Sequence, residues 1–266
     1  MLRNEDIKMG RIIVIHSYKG GTGKTLLSVN LAAAYAKKGK RVCLLDLDFR
    51  APSLQSIFRL DGSKYWLNDY LNGSCEIGKV LVDYTPECEC NGNMYVGLAN
   101  PATEALRDMS AKDRKWEMRA LGRLLSLKNT VLNDMELDYL IYDTSPGLQY
   151  SSINAIVSAD VAIVVSTIDR SDVEGTKRMV HELYDLFEKK TAILMNKVPI
   201  EFLSTQLERD SVIKRFESTH TLPVLKVIPC YCDVLRAGGS KIFVRDEPEH
   251  AFTKHVNDIA LKIDSF

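Results

Sequence analysis

The residues best suited to chemistry stand together near the start of the chain, as Ser17-Tyr18-Lys19-Gly20-Gly21-Thr22-Gly23-Lys24-Thr25. Glycines at this density let successive backbone N–H groups turn inward on one anion with no Cβ in the way. The Lys24 ammonium would neutralise β- and γ-phosphate oxygens, and the Thr25 hydroxyl would hold Mg2+ directly. Gly20, Gly21, Thr22, Gly23, Lys24, Thr25 and Leu26 are therefore the candidate nucleotide-binding loop. A Gly-rich turn between strand and helix also arises by chance, but Gly-Lys-Thr between these flanks makes that the weaker reading.

Three further groups follow apolar runs. Leu44-Leu45 leads into Asp46-Leu47-Asp48, where residues i and i+2 of an extended segment point the same way, so both carboxylates could face one ligand. Tyr142-Asp143-Thr144-Ser145-Pro146-Gly147 closes another run with an aspartate, unremarkable alone but notable as the third motif at a strand end. Asn196-Lys197-Val198-Pro199 begins like the Asn-Lys-x-Asp element that reads guanine. Pro199 replaces the carboxylate that would accept from guanine N1 and N2, so adenine is favoured. Asn196 would equally serve as a strand-end cap.

Positioning these groups requires a sheet. Arg11–His16, Arg41–Asp46, Met94–Ala99, Asp138–Asp143, Val161–Ser166, Thr191–Asn196 and Val224–Ile228 read as buried strands, and such near-continuous Val/Ile/Leu runs suit a parallel sheet covered on both faces. Helix-period segments lie between them. Leu27, Leu31, Ala34 and Tyr35 recur at helical spacing before Lys37, Lys38 and Gly39 close the helix. Ser171 and Glu174 form a capping box for a helix burying Val180, Leu183 and Phe187. The pattern predicts an α/β fold, a doubly wound, mostly parallel sheet with helices on both faces, whose ligands sit at the carboxyl ends of the strands.

Composition excludes much else. The 266 residues carry 35 basic and 35 acidic side chains, 45% hydrophobic residues and six cysteines, which rules out disorder, a collagen repeat and a disulfide scaffold. Apolar runs such as Val161–Val165 are far too short to span a bilayer, and the charged start has no apolar leader core, so a cytoplasmic setting is the default. Zero net charge argues against a general nucleic-acid field, leaving DNA open only through a local basic patch. No linker or repeat divides the chain, so 1–266 reads as one domain with a short leader, 1–10.

The stretch Lys19-Gly20-Gly21-Thr22-Gly23-Lys24-Thr25 resembles the deviant Walker A motif of the ParA/MinD family of P-loop ATPases, including its extra signature lysine at Lys19. The resemblance covers roughly residues 10 to 263. It implies a P-loop NTPase fold, ATP and Mg2+ as cofactors, and an ATP-dependent homodimer in which Lys19 reaches the partner's phosphates. It further implies that Asp48 orients the attacking water, that Asp46 and Asp143 hold Mg2+ through water, and that Gly147 senses the γ-phosphate. Asn196 and the Pro229-Cys230 loop would contact the base. Lys19, Lys24 and Asp48 are thus the expected catalytic residues, with slow hydrolysis timing engagement of an unidentified protein partner or cargo.

The chain departs from the family at Leu26, where a hydroxyl commonly reaches the α-phosphate, and after Asp48, where Phe49-Arg50-Ala51-Pro52 replaces the usual Pro-Gln of ParA proteins. The stretch through Leu67-Asn68-Asp69-Tyr70-Leu71-Asn72-Gly73 looks more like the MinD branch and like the tyrosine kinases of polysaccharide export. Those kinases have a different phosphate loop and a tyrosine-rich tail, whereas the last tyrosine here is Tyr231. Few residues precede the first strand, with Met9 a second candidate start, and three follow the last predicted helix, His250–Ile263, so neither a winged helix nor a basic membrane tail is expected.

Cys88-Glu89-Cys90 could carry a soft metal if a dimer supplied two more ligands, which gives a nucleotide-gated metallochaperone or scaffold as an alternative function, although free thiols in a loop are the simpler account. Cys230 and Cys232 are expected to pack, His16 and His181 to be structural, and Trp116 with Leu121, Leu124 and Leu125 to face the core.

Overall fold

Alternation of side chains along each extended run sorts the apolar residues onto two faces. In the computed structural model, which describes residues 10–60, 64–187 and 189–266, Ile13 and Ile15 enter one hydrophobic cluster while Ile12 and Val14 enter the other. Val42 and Leu44 part from Cys43 and Leu45 in the same way. Met9 and the expected leader, apart from Gly10, lie outside the described residues. A strand with two apolar faces must be covered on both, which is why helices flank the sheet.

The strands are β1 (Arg11–His16), β2 (Arg41–Leu47), β3 (Leu81–Asp83), β4 (Asn93–Gly97), β5 (Tyr139–Thr144), β6 (Val161–Ser166), β7 (Lys190–Val198) and β8 (Val224–Pro229). Among the described residues they form an eight-stranded sheet in the order β3-β4-β2-β5-β1-β6-β7-β8, parallel except for β3. This is the doubly wound architecture expected of a P-loop NTPase. The expected β4 run at Met94–Ala99 lies one to two residues earlier. β3 is absent from the sequence reading because three residues carry no usable period; its identity comes from antiparallel pairing with β4, Leu81 opposite Gly97.

The order places β1 between β5 and β6, with β2 beyond β5. Asp46 and Asp143 are direct register partners across β2 and β5, so the acidic motifs arrive at one sheet edge beside the glycine loop. Helix α1 (Lys24–Lys37) starts at Gly23, is almost wholly buried, and ends with Lys37 in its last turn and Gly39 at φ 80°. Its alanine run Ala32-Ala33-Ala34 allows close packing between the sheet and the helix Ala251–Ser265, where the Tyr35 hydroxyl donates to the Ala260 carbonyl.

Two helical expectations are corrected. The helix Arg170–Met179 is capped two residues earlier than Ser171, by Asp169, whose carboxylate accepts from the Asp172 N–H at 3.0 Å. In the helix Arg114–Leu127 the buried face is Trp116, Ala120, Leu124 and Leu127. Leu125 is exposed and Leu121 only half-buried, because at about 100° per residue they are rotated far from Trp116.

Candidate functional site

The carboxyl ends of β1, β2, β5, β7 and β8 surround a cleft of 660 Å³. Gly20, Gly21, Gly23, Lys24, Thr25 and Leu26 form its floor, with Asp48 and Ser145 on one side and Asn196, Pro229 and Cys230 on the other. Residues as far apart in sequence as Gly20 and Phe252 thus meet as the topology requires of an open α/β sheet.

The loop's shape is enforced locally. Gly21 and Gly23 have φ of 76° and 99°, a region open to glycine without strain. A Cβ on Gly23 would also stand 2.5 Å from the Asn196 amide nitrogen. That amide donates to the Thr22 carbonyl at 2.7 Å, and Lys197 Nζ donates to the Gly21 carbonyl at 2.6 Å, so the end of β7 clips the loop in place. Asn196 is not a strand-end cap, since β7 continues to Val198.

Lys24 is buried, and its ammonium donates to Ser17 Oγ at 2.9 Å. Burial lowers its pKa against the opposing pull of Asp143, Asp48 and Asp172. Behind it Asp143 is fully buried, with Oδ1 accepting from Ser28 Oγ at 3.0 Å and Oδ2 without a hydrogen-bond partner among the described residues. Burial pushes the Asp143 carboxyl up to about 6, against the Thr25 and Ser28 hydroxyls and the Lys24 charge. An orphaned carboxylate oxygen behind the Thr25 hydroxyl suits a hydrated divalent cation, whose charge would compensate the burial.

Asp46 differs from Asp48. Asp48 lines the cleft, and its Oδ1 accepts from Ser145 Oγ at 2.7 Å and from the Arg50 and Ala51 N–H groups. Asp46 is buried below, where its two oxygens accept from the Asp48 and Leu54 N–H groups. Its pKa is raised well above the carboxylate range by burial and by Asp143 opposite. The expectation that both carboxylates face one ligand is therefore corrected: the chain turns sharply after Leu47, and Asp46 shapes the loop that presents Asp48.

Lys19 does not line the cleft. Its ammonium bonds Asp169 at 2.8 Å and Ser171, raising its pKa chiefly through the Asp169 hydrogen bond. Tyr18 lies against Gly175 of the same helix, leaving no room for a Cβ there. His16 is buried beneath the loop, and His181 is exposed, paired with Asp185.

Sequence reading missed Ser145 as a partner of Asp48, and Tyr231, Val234 and Leu235 as the apolar wall beside Cys230. Position next to the identified motifs was the available signal. Cys230 is half-buried against the cleft, whereas Cys232 is exposed, contrary to the expectation that both pack. Cys88 points into the core near Tyr84 and Phe58, and burial pushes its thiol up to about 12. Among the described residues no three His, Cys, Asp or Glu side chains are grouped to hold a metal.

A family model described as an AAA domain matches residues 10–197, a span holding the phosphate loop and all three aspartates. An uncharacterized ATP-binding protein of Methanocaldococcus jannaschii is 31% identical over 257 residues, covering 96% of this chain and 88% of the relative. The septum site-determining protein MinD of Thermotoga maritima is 26% identical over 261 residues, with the same coverage. In fold, the chain is similar to MinD of Pyrococcus horikoshii, solved with Mg-ADP, at a TM-score of 0.74 and 24% identity over 96% of each chain. Motif, matched span and fold agree, and the chain belongs to the ParA/MinD family of P-loop ATPases.

Proposed function

We propose that the chain binds Mg-ATP in this cleft, dimerises around it, and uses slow hydrolysis to time engagement of a protein partner. The observation carrying this reading is the convergence of Lys24, Asp48 and the orphaned Asp143 oxygen behind Thr25 at one sheet edge. The Mg-ADP in the related Pyrococcus structure is consistent with it.

Each residue has a physical task. The loop N–H groups and the α1 N-terminus bind phosphate oxygens, and Lys24 neutralises the charge that grows on them during phosphoryl transfer. Thr25 would hold Mg2+ directly, with Asp143 bound through water. When present, the ion supplies positive charge to the phosphate oxygens. Asp48 accepts a hydrogen bond from the attacking water and orients it, and catalysis comes from positioning rather than from strong base chemistry. Asn196, Pro229 and Cys230 enclose the base. Lys19 leaves Asp169 to reach the second protomer's phosphates.

Light scattering of wild type and Asp48→Ala with ADP and with ATP tests the reading. A dimer formed only with ATP, persistent in Asp48→Ala and transient in wild type, is expected. A monomer under every condition overturns the dimer switch, and turnover no greater than in Asp48→Ala overturns the assigned hydrolysis.

A further inference from the structure

We propose that His16 is a positioning residue for the Gly147 turn, its ring held between the Gly147 carbonyl and the Tyr184 hydroxyl; this rests on the ATPase reading above. His16 is the last residue of β1 and is fully buried, outside the cleft. Its Nε2 lies 2.9 Å from the Gly147 carbonyl and its Nδ1 2.7 Å from the Tyr184 hydroxyl. A carbonyl only accepts, so Nε2 carries the proton. Burial, countered by the Gly147 bond and helped by the Lys24 charge, lowers the ring's pKa to about 4, which leaves it neutral and Nδ1 bare. The Tyr184 hydroxyl must therefore donate. Only this tautomer satisfies all three groups.

The arrangement ties Gly147 on both sides. Its own N–H donates to the Ser17 carbonyl at 2.9 Å, while His16 grips the next peptide through the Gly147 carbonyl. Gly147 sits at φ 72°, where a glycine can reorient one flanking peptide without carrying a Cβ through a forbidden region. The N–H on the Pro146 side can thus exchange Ser17 for a phosphate oxygen while His16 holds the other side still. The exposed Leu148 and Tyr150 follow directly and would carry the change to the surface.

Tyr184 reaches His16 through a π-helical turn, Val180–Tyr184, continuing the helix Arg170–Met179. Such turns shift side-chain register and concentrate at functional sites. The same helical segment receives Tyr18 at Gly175, and its cap Asp169 holds Lys19. One helix thereby contacts both the phosphate loop and, through His16, the Gly147 turn.

The test combines kinetics with histidine-selective 15N NMR on the full chain, using His16→Gln to assign the His16 signals. The wild-type protein is expected to show protonated Nε2 and bare Nδ1. Tyr184→Phe is expected to leave the proton on Nε2, which the Gly147 carbonyl alone requires, but to shift the Nδ1 resonance through loss of the Tyr184 hydrogen bond and to lower kcat about tenfold, with ADP affinity and melting temperature close to wild type. His16→Gln, which keeps a donor for the Gly147 carbonyl, is expected to retain far more turnover than His16→Leu. A protonated Nδ1 in wild type overturns the assignment, as does unchanged kcat in Tyr184→Phe or a joint fall of kcat, ADP affinity and melting temperature. Wild type with no turnover overturns the ATPase reading and the role resting on it; the tautomer, read without nucleotide, separates the two failures.

Discussion

The Ser145 hydroxyl donates to the Asp48 carboxylate at 2.7 Å, joining the loops after β5 and β2 along one side of the cleft. Ser145 is itself buried, and its carbonyl accepts from Ser152 Oγ at 2.8 Å, so Asp48 is oriented by a group that cannot drift. A hydrogen bond to a charged group contributes roughly 1.5–3 kcal/mol. Ser145→Ala is expected to lower kcat about tenfold with KM little changed. In the Asp48→Ala background the same substitution should do almost nothing, because its only route to the chemistry is gone. Steady-state rates of the four proteins of this cycle check the prediction.

The Lys19–Asp169 pair is surface-exposed, so its attraction is screened and modest. Asp169→Asn keeps a cap for the helix while releasing Lys19. It is expected to lower the ATP concentration for half-maximal dimerisation by up to about fivefold. Lys19→Ala is expected to abolish the ATP-dependent dimer while leaving ADP binding intact. Sedimentation with each nucleotide measures both.

Asp143 and Asp46 oppose each other in a buried site. Removing one charge relieves that repulsion when no cation is bound. Asp143→Asn is therefore expected to raise the melting temperature by a few degrees without Mg2+ and to lose most of the further gain that Mg-ATP gives wild type. Thermal melts with EDTA and with Mg-ATP provide the measurement.

His16 gives a pH signature. Its native pKa is lowered from 6.5 to about 4, so between those values the unfolded chain binds more protons and stability falls as pH falls. Its contribution is fully present above pH 6.5 and lost progressively toward pH 4, with an upper bound of about 3 kcal/mol. Urea midpoints of wild type should therefore drop more steeply across that window than those of His16→Gln, which has no titrating ring. Parallel curves for the two proteins would contradict it.

Much was legible in the chain itself because its signals are local. Five residues between Gly20 and Thr25, other than Thr22, line the cleft as the spacing of the loop implies, and seven of the eight strands coincide with apolar runs. β3 was not legible, since three residues become a strand only through their neighbour. Nor was the cap at Asp169: Ser171-x-x-Glu174 satisfies the same local rule, and the backbone's actual exit from β6 decided between them.

What the sequence by itself determined is which groups are on offer: a glycine-rich loop, two lysines, three aspartates and Asn196, each set by residue type and short-range spacing. Tertiary structure alone decided which of them act together. The turn after Leu47 sends Asp48 to the cleft and Asp46 to the backbone. The packing of the helix Arg170–Met179 places Asp169 under Lys19, and the π turn beyond it brings Tyr184 to a histidine 168 residues away. These are contacts between distant segments, and no periodicity along the chain encodes a direction in space that only the assembled sheet and its helices define.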